Sequence, residues 1–208
     1  MIQGSEAWHQ ARLGKVTASR IADVMAKGAG GKPSATRANY MAELAAERLT
    51  GAVAPGFTSA AMQHGTETEA QARACYAWDT GAEISEVGFI AHPTIAMSGA
   101  SPDGLIGADR GLEIKCPNTA THIATLRGAA IKRDYLLQMQ WGMACTKRAA
   151  WDFVSFDPRM PDEMRLHIRT VEIDAALIAE IETEVSAFLA ELDAMVAELR
   201  AKYMKEAA

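Results

Sequence analysis

The sequence predicts a mixed α/β single domain in which a central mixed β-sheet is flanked by helices. Three observations support this fold class. Apolar residues recur at helical spacing in the N-terminal quarter, short apolar runs with strand-like alternation fill the middle, and a long amphipathic stripe ends the chain. With 208 residues, of which 49% are hydrophobic, the chain is long enough to bury the core of one domain.

Helices are predicted before the sheet from capping and spacing signals. Ser5 is expected to cap the first helix, and Gly14 to stop it. Met41 and Leu44 lie on one face of a third helix, for which Gly51 is a suitable C-terminal stop. The predicted helices cover residues 5–13, 17–27, 34–50 and 59–78, the last with an interruption near Gly65.

The middle and the end of the chain alternate between strands and helices. Strands are predicted over residues 84–92, 95–98, 103–106, 112–116, 151–156 and 166–173. A helix is expected over residues 131–145, and a last one over residues 174–203. The apolar stripe of this last helix, from Leu177 to Leu199, is typical of a core or subunit-packing face.

Composition excludes several classes of protein. No apolar run approaches the ~20 residues of a membrane span, and the N-terminal residues predict no secretory signal. The three cysteines, Cys75, Cys116 and Cys145, form no C-x-x-C pair, so a reducing cytoplasm is the expected location. A zinc site built on Cys116 and His122 lacks further ligands in the sequence.

The charge of the chain is unevenly distributed along its length. The net charge is −5, yet residues 1–50 hold seven Lys or Arg against four acidic residues. Residues 174–208 hold three basic and eight acidic residues. An acidic chain can therefore present one basic face to DNA, as a ring or cleft with a basic lining and an acidic exterior would do.

The residues best suited to catalysis lie in one predicted hairpin. Glu113 and Lys115 are two residues apart on a strand and project to the same face, while Asp103 precedes the neighbouring strand. Two carboxylates with the backbone carbonyl of Ile114 suit a hard divalent cation such as Mg²⁺. The lysine can orient or deprotonate a water molecule, so the set is typical of phosphodiester cleavage.

The spacing of these residues alone does not decide between two interpretations. An Asp ten residues before a Glu-x-Lys also fits an exposed strand that carries a Glu/Lys pair. The neighbours favour the catalytic interpretation, because Pro102 and Gly104 fix an unusual backbone around the aspartate. Pro117 then ends the second strand abruptly.

A second set of residues, W-x₃-R-x-G-x₂-T-x-S, begins at Trp8. Thr17 and Ser19 open a predicted helix, whose N-terminus favours anions, and Arg12 could reach the same anion across the glycine turn. On chemistry alone, the alternative that Thr17 only caps the helix and that Arg12 is a surface residue stays open.

Together these motifs resemble the PD-(D/E)xK nuclease superfamily and, more narrowly, the phage lambda-type exonuclease or YqaJ-like viral recombinase family. The resemblance runs from Trp8 to Ile173 and includes the segment from Asp157 to Met160. It implies a single restriction-endonuclease-like domain over residues 1–208. Its parts are N-terminal helices with a phosphate-binding segment (1–58), a catalytic core (59–173) and a C-terminal helix (174–208).

The resemblance also implies roles for individual residues. Asp103, Glu113 and the Ile114 carbonyl would bind the metals, with Lys115 and Gln138 positioning the attacking water. Glu69, which follows Gly65 at the family's spacing, would support a second metal. The residues that match the family's 5′-phosphate pocket are Arg12, Thr17 and Ser19. Met62 matches an apolar residue that separates the strands, although core packing explains it equally well.

The activity implied is an Mg²⁺-dependent 5′→3′ exonuclease, with two metals per site and Mn²⁺ as a possible substitute, that leaves 3′ overhangs for recombination. The implied partners are double-stranded DNA ends, two further copies of the chain in a trimeric ring, and a single-strand annealing protein. Two alternatives stay open: an endonuclease or structure-specific nuclease of the same superfamily, and a non-catalytic scaffold that binds DNA ends.

Overall fold

The computed structural model describes residues 2–28, 30, 34–53 and 60–204, with side chains in the last range from residue 68 onward. Its helices are α1 (Glu6–Arg12), α2 (Ile21–Val24), α3 (Ala35–Thr50), α4 (Ala60–Thr80), α5 (Thr119–Leu126), α6 (Arg133–Thr146) and α7 (Ala175–Tyr203). In the described part of the chain, no helix is long and apolar enough to span a membrane.

The strands are short up to β5 and longer from β6 onward. They are β1 (Val16–Thr17), β2 (Ile84–Ser85), β3 (Ile90–Ala91), β4 (Ser98–Ala100), β5 (Gly104–Ile106), β6 (Arg110–Lys115), β7 (Ala150–Phe156) and β8 (Leu166–Glu172). The main sheet has the order β2-β5-β6-β7-β8, and a small sheet has the order β1-β4-β3. Strands β6 and β7 are parallel and the other pairs of the main sheet are antiparallel, so the predicted mixed sheet is confirmed.

Helices cover the main sheet on both faces. On one face, Leu112 and Ile114 of β6 pack against Ala72 and Tyr76 of α4. On the other face, Met139 of α6 belongs to a cluster with Trp151 and Phe153 of β7. The side chain of Glu113, whose Cα pairs with that of Phe153, therefore points towards the α6 face.

A second core joins the two ends of the chain. Tyr40 of α3 stacks on Phe188 of α7, with ring centroids 5.6 Å apart, and Leu44 and Leu192 belong to the same buried cluster. The apolar stripe predicted for the last helix is confirmed as a core face, since Ile181, Val185, Phe188, Leu189, Leu192 and Val196 are buried.

Four local predictions are wrong. The strand predicted over 95–98 is mostly a turn, and β4 begins only at Ser98. The helix predicted over 17–27 is a short strand, a 3₁₀ turn (Ala18–Arg20) and the four-residue α2, because Val16 and Thr17 pair with Ser98 and Gly99 of β4. The interruption predicted near Gly65 is absent, and α4 runs through it. The strand predicted over 84–92 is two strands in different sheets.

Helix α5 was not predicted from the sequence. Its β-branched threonines have weak helix propensity, so its periodic signal is poor. The helix is capped by Asn118, whose side-chain oxygen accepts a hydrogen bond from the N–H of Thr121 at 2.9 Å. It is also fixed by His122, whose ring nitrogens lie 2.8 Å from Ser155 Oγ and 2.8 Å from the Met164 carbonyl.

Candidate active site and DNA-end site

The loop between β4 and β5 carries Asp103 to the end of the hairpin that β5 and β6 form. The backbone N–H of Asp103 donates to the Leu112 carbonyl at 3.2 Å. Its carboxylate accepts a hydrogen bond of 2.6 Å from the N–H of Ile114, in the middle of the Glu-x-Lys segment. The two parts of the motif are therefore joined directly through the backbone of β6.

Glu113 and Lys115 project together from β6, as the alternation predicted. Lys115 Nζ lies 2.6 Å from Glu113 Oε1, and the Glu113 side chain is only 3% exposed. This burial does not fit an exposed strand that carries a Glu/Lys pair. A buried carboxylate is costly unless a cation accompanies it, and Lys115 supplies that cation.

Helix α6 adds Gln138 and Tyr135 to the lysine. Gln138 Oε1 accepts a hydrogen bond from Lys115 Nζ at 3.4 Å, and the Tyr135 ring centroid lies 4.8 Å from the same nitrogen. Gln140 faces elsewhere: its amide donates to the Glu172 carbonyl at 2.9 Å and its oxygen accepts from the N–H of Asp174 at 2.9 Å. Gln140 thus joins β8 to the start of α7.

Glu69 reaches the site from α4 beside Arg73, a residue for which the sequence motifs predict no role. Arg73 Nη2 lies 2.5 Å from Glu69 Oε1, and Arg73 Nε donates to the Asp103 carbonyl at 3.1 Å. A third nitrogen, Nη1, pairs with Glu86 at 3.2 Å. The available sequence signal was the spacing of four residues between Glu69 and Arg73, which places both side chains on the same face of a helix.

Carboxylates dominate the electrostatics of this cluster. The pKa of Asp103 is raised well above its usual value by burial and by the neighbouring Glu113 and Glu69. Burial also raises the pKa of Glu69, with Arg73 opposing and Glu113 adding to the shift. Burial alone would lower the pKa of Lys115, but Glu113 and Asp103 outweigh it and the net shift is upward. Lys115 is therefore a charged ammonium among three carboxylates.

This excess of negative charge and the hard oxygen donors fit a divalent cation. In the part of the chain with described side chains, no group of three His, Cys, Asp or Glu side chains is placed so that it could hold a metal ion by itself. An ion here would take Asp103, Glu113 and the Ile114 carbonyl from the protein, and its other ligands from water or substrate. Mg²⁺ is typically held in this way, since it retains several waters.

A second site is a cavity of about 310 Å³ beside α1, lined by Arg12, Thr17 and Ser19 among other residues. The Arg12 guanidinium lies 4.1 Å from the Trp8 ring centroid, and burial lowers its pKa. Thr17 is 5% exposed and its N–H donates to the Tyr40 hydroxyl at 3.3 Å. Its side chain makes no cap hydrogen bond to the following 3₁₀ turn.

Gly14 fixes the turn that presents Arg12. Its φ of +66° lies in the left-handed region, and a Cβ there would come within 2.7 Å of Arg48 Cγ. Helix α3 fixes this turn through both backbone polar groups of Gly14. The Gly14 N–H donates to the Glu47 carboxylate at 2.7 Å, and the Gly14 carbonyl accepts from Arg48 Nε at 2.8 Å.

Ser101 connects the two sites, and the sequence motifs did not predict it as a site residue. Its hydroxyl oxygen accepts hydrogen bonds from Arg12 Nη1 at 3.1 Å and from Trp8 Nε1 at 3.0 Å. Ser101 is two residues before Asp103, so one short loop contacts both the arginine and the carboxylate cluster. The sequence signal is the Ser-Pro-Asp-Gly run itself, in which only the aspartate is a predicted site residue.

The side chain of Met62 is outside the described part of the structure. Its predicted position between the DNA strands therefore stays a prediction. Cys116, beside Lys115, is a poor nucleophile because burial raises its pKa to about 12.

Comparison with known proteins matches residues 7–149 to the YqaJ-like viral recombinase domain. The chain belongs to this family. The alkaline exonuclease LHK-Exo from Laribacter hongkongensis is 56% identical to this YqaJ-like protein, with a TM-score of 0.88 over 95% of this chain and 97% of the other. LHK-Exo in complex with dAMP gives a TM-score of 0.89 at the same identity and coverage.

Two further proteins are similar to this YqaJ-like chain. ExoD of Escherichia coli K12 is 36% identical over 70 residues, which are 34% of this chain and 79% of ExoD. A phage-related exonuclease from Haemophilus somnus 129PT shares the fold at 20% identity and a TM-score of 0.67, covering 89% of this chain and 96% of the other. The family and the identity with LHK-Exo support a DNA exonuclease role.

Proposed function

We propose that this YqaJ-like protein is an Mg²⁺-dependent 5′→3′ exonuclease that digests one strand of double-stranded DNA and leaves 3′ overhangs for strand-annealing recombination. The observation that carries the proposal is the loop from Ser101 to Asp103. It contacts the Arg12 guanidinium at one end and the Glu113–Lys115 strand at the other. A terminal phosphate held at Arg12 would place the next phosphodiester at the carboxylates.

Asp103, Glu113 and the Ile114 carbonyl would hold the metal, and Glu69 would support a second one through water. Mg²⁺ would supply Lewis-acid stabilisation of the phosphate oxygens when bound, and Mn²⁺ could substitute for it. Arg73 acts as a positioning residue, because it fixes both the Glu69 carboxylate and the Asp103 backbone.

Lys115 is oriented for a role at the scissile phosphate by Glu113, by Gln138 and by the Tyr135 ring. Water attacks phosphorus, and the bond from phosphorus to the 3′ oxygen of the terminal nucleotide breaks as that oxygen takes up a proton. The products are a nucleoside 5′-monophosphate and a strand with a new 5′-phosphate. Lys115 orients the water and offsets the negative charge that develops.

The arginine supports the proposed 5′→3′ polarity of digestion. A guanidinium beside a serine hydroxyl binds a phosphate monoester more strongly than a free hydroxyl end. Each cleavage exposes a new 5′-phosphate that can enter the same cavity. We further propose that three copies form a ring around the DNA and that a single-strand annealing protein receives the 3′ overhang.

A digestion assay on a long linear duplex with one labelled 5′ end tests the activity, with a closed circular duplex as a matched control. We expect Mg²⁺-dependent release of labelled mononucleotide and an intact circle. Internal cuts in the circle would instead indicate an endonuclease, and end binding without any cleavage would indicate a scaffold.

Replacement of the lysine tests the assignment of the site. Lys115→Ala should lower the cleavage rate by on the order of 10²–10³, because loss of one preorganised electrostatic group has this effect. Binding of duplex ends should persist. Lys202→Ala, at an exposed position of α7, is the control and should cleave normally. Near-normal turnover by Lys115→Ala in Mg²⁺ would contradict the assignment.

A further inference from the structure

The residues just before α1 form a closed turn, residues 2–5, called here the N-terminal turn. The Ser5 hydroxyl donates to the Ile2 carbonyl at 2.6 Å, and its oxygen accepts from the N–H of Trp8 in the first turn of α1 at 3.3 Å. Gly4 has a φ of +79°, in the left-handed region that glycine adopts without strain. The remaining residue of the turn, Gln3, is therefore presented from a backbone that is anchored to α1.

Gln3 bridges two carbonyls with its amide nitrogen. Its Nε2 donates to the Pro102 carbonyl at 2.7 Å and to the Val87 carbonyl, between β2 and β3, at 3.2 Å. A side-chain amide has two N–H protons, one for each acceptor. Pro102 is buried and has no N–H, so its carbonyl is its only backbone polar group, and a buried carbonyl needs a donor. Gln3 supplies that donor.

The Pro102 carbonyl belongs to the peptide unit that leads into Asp103. The N–H of the same peptide unit donates to the Leu112 carbonyl at 3.2 Å. Because a peptide unit is planar, hydrogen bonds at both of its polar groups fix the direction in which the chain enters Asp103. The Asp103 carboxylate, which accepts from the N–H of Ile114, is thus held from the backbone behind it as well.

Two neighbouring residues of the loop are attached to the N-terminal part of the chain through different groups. Trp8 and Arg12 of α1 donate to the Ser101 hydroxyl, and Gln3 donates to the Pro102 carbonyl. Removal of the Gln3 amide would therefore release the peptide unit before Asp103, while both hydrogen bonds to Ser101 remain. The metal site and the Arg12 cavity can be distinguished in this way.

We propose that Gln3 is a positioning residue for the metal site, because its amide fixes the peptide unit that orients the Asp103 carboxylate. This inference rests on the proposed function, in which Asp103 is a metal ligand. Replacement of a residue that supports a metal ligand typically lowers metal affinity or activity 10–100-fold. Gln3 acts through the backbone of Asp103 and not on its carboxylate, so we expect an effect at the lower end of this range.

Metal binding by the whole protein without DNA tests the role of Gln3. Gln3→Met retains the length of the side chain and removes both donors. In calorimetric titrations, Mn²⁺ should bind Gln3→Met about 10-fold more weakly than wild-type protein. In digestion assays the variant should need more Mg²⁺ for half of its maximal rate, and excess Mg²⁺ should restore the rate. The KM for 5′-phosphorylated duplex ends should not change, because Ser101 and Arg12 stay in contact.

The matched control is Gln10→Met, the same substitution at an exposed position of α1. It should bind Mn²⁺ as wild-type protein does. Equal Mn²⁺ affinity in wild-type protein and Gln3→Met, or an equal loss in both methionine variants, would overturn the proposal. Thermal unfolding without metal completes the test, since a lower midpoint of Gln3→Met with unchanged Mn²⁺ affinity would make Gln3 a structural residue only.

The role of Gln3 and the proposed function can fail separately. DNA digestion by wild-type protein, together with unchanged Mn²⁺ affinity in Gln3→Met, would remove the role of Gln3 alone. Weaker Mn²⁺ binding by Gln3→Met, in a protein whose wild type binds Mn²⁺ but does not digest DNA, would retain the role of Gln3 and overturn the nuclease function.

Discussion

Ser101 shows how one hydroxyl can be directed towards a ligand. A hydroxyl oxygen has two acceptor sites and one proton. At Ser101 the hydrogen bonds from Trp8 Nε1 and Arg12 Nη1 occupy the acceptor sites. The proton is therefore left to donate, so Ser101 and Arg12 both offer donors. Such a pair is suited to a phosphate oxygen rather than to a cation.

A preference for phosphorylated ends follows at this scale. Wild-type protein should digest 5′-phosphorylated duplexes about 10–100-fold faster than 5′-hydroxyl duplexes, the range expected for one charged hydrogen bond. Arg12→Ala should lose most of this preference, and Ser101→Ala a smaller part of it. Initial rates on the two substrates measure the ratio. Equal rates with wild-type protein would disprove the phosphate site but not the nuclease activity.

At the scale of elements, the close approach of α6 to the sheet places Gln138 beside Lys115. Trp151 of β7 is 1% exposed and fills the space between two glycines. A Cβ at Gly111 of β6 would lie 2.4 Å from Trp151 Cε3, and one at Gly142 of α6 would lie 2.8 Å from Cη2. Both glycines are thus required by packing around the indole ring.

Gly142→Ala should destabilise the protein although it favours the helix. Alanine gains about 1 kcal/mol of helix propensity over glycine, whereas overpacking a core costs roughly 1–3 kcal/mol. Trp151 is surrounded by buried side chains and has little room to yield, so we expect the clash to dominate and the midpoint of thermal unfolding to fall.

A double mutant tests the physical reason. The ring atoms nearest to a Cβ at Gly142 all belong to the six-membered ring of the indole. In a Trp151→Phe background, Gly142→Ala should therefore be neutral or stabilising. The same loss of stability in both backgrounds would show that the indole is not the cause.

At the scale of the whole molecule, the two oppositely charged ends of the chain contact each other. Arg37 pairs with Glu191 at 2.7 Å, and Arg48 forms an ion pair with Asp193. Two of the N-terminal cations are thus paired with the acidic α7. In the proposed ring, the segment from Ile114 to Arg133, which contains no acidic residue, would contribute cations to the surface that faces DNA.

We predict a closed homotrimer, because cyclic symmetry leaves no free interface and a ring around DNA would keep digestion processive without ATP. Light scattering should give three times the chain mass of 22.3 kDa. Digestion of long duplexes should continue when excess competitor DNA is added. A monomer that stays processive under these conditions would contradict the ring.

The sequence by itself determined the elements whose signals are local. Ser5 caps α1 as predicted, α3 and α7 begin within one residue of their predicted starts, and the alternation in β6 separates Glu113 and Lys115 from Leu112 and Ile114. These features depend on periodicity and on capping hydrogen bonds within a few residues, which is why pattern alone predicts them.

Tertiary structure decided the features that depend on residues distant in the chain. Val16 and Thr17 became a strand because β4 offers backbone partners, and the weak helix α5 is held by contacts of His122. Ser101 and Arg73 entered the site only when the chain brought Arg12 and Asp103 near them. The contact between Arg12 and Ser101 joins residues 89 positions apart, and local propensity carries no information about such contacts.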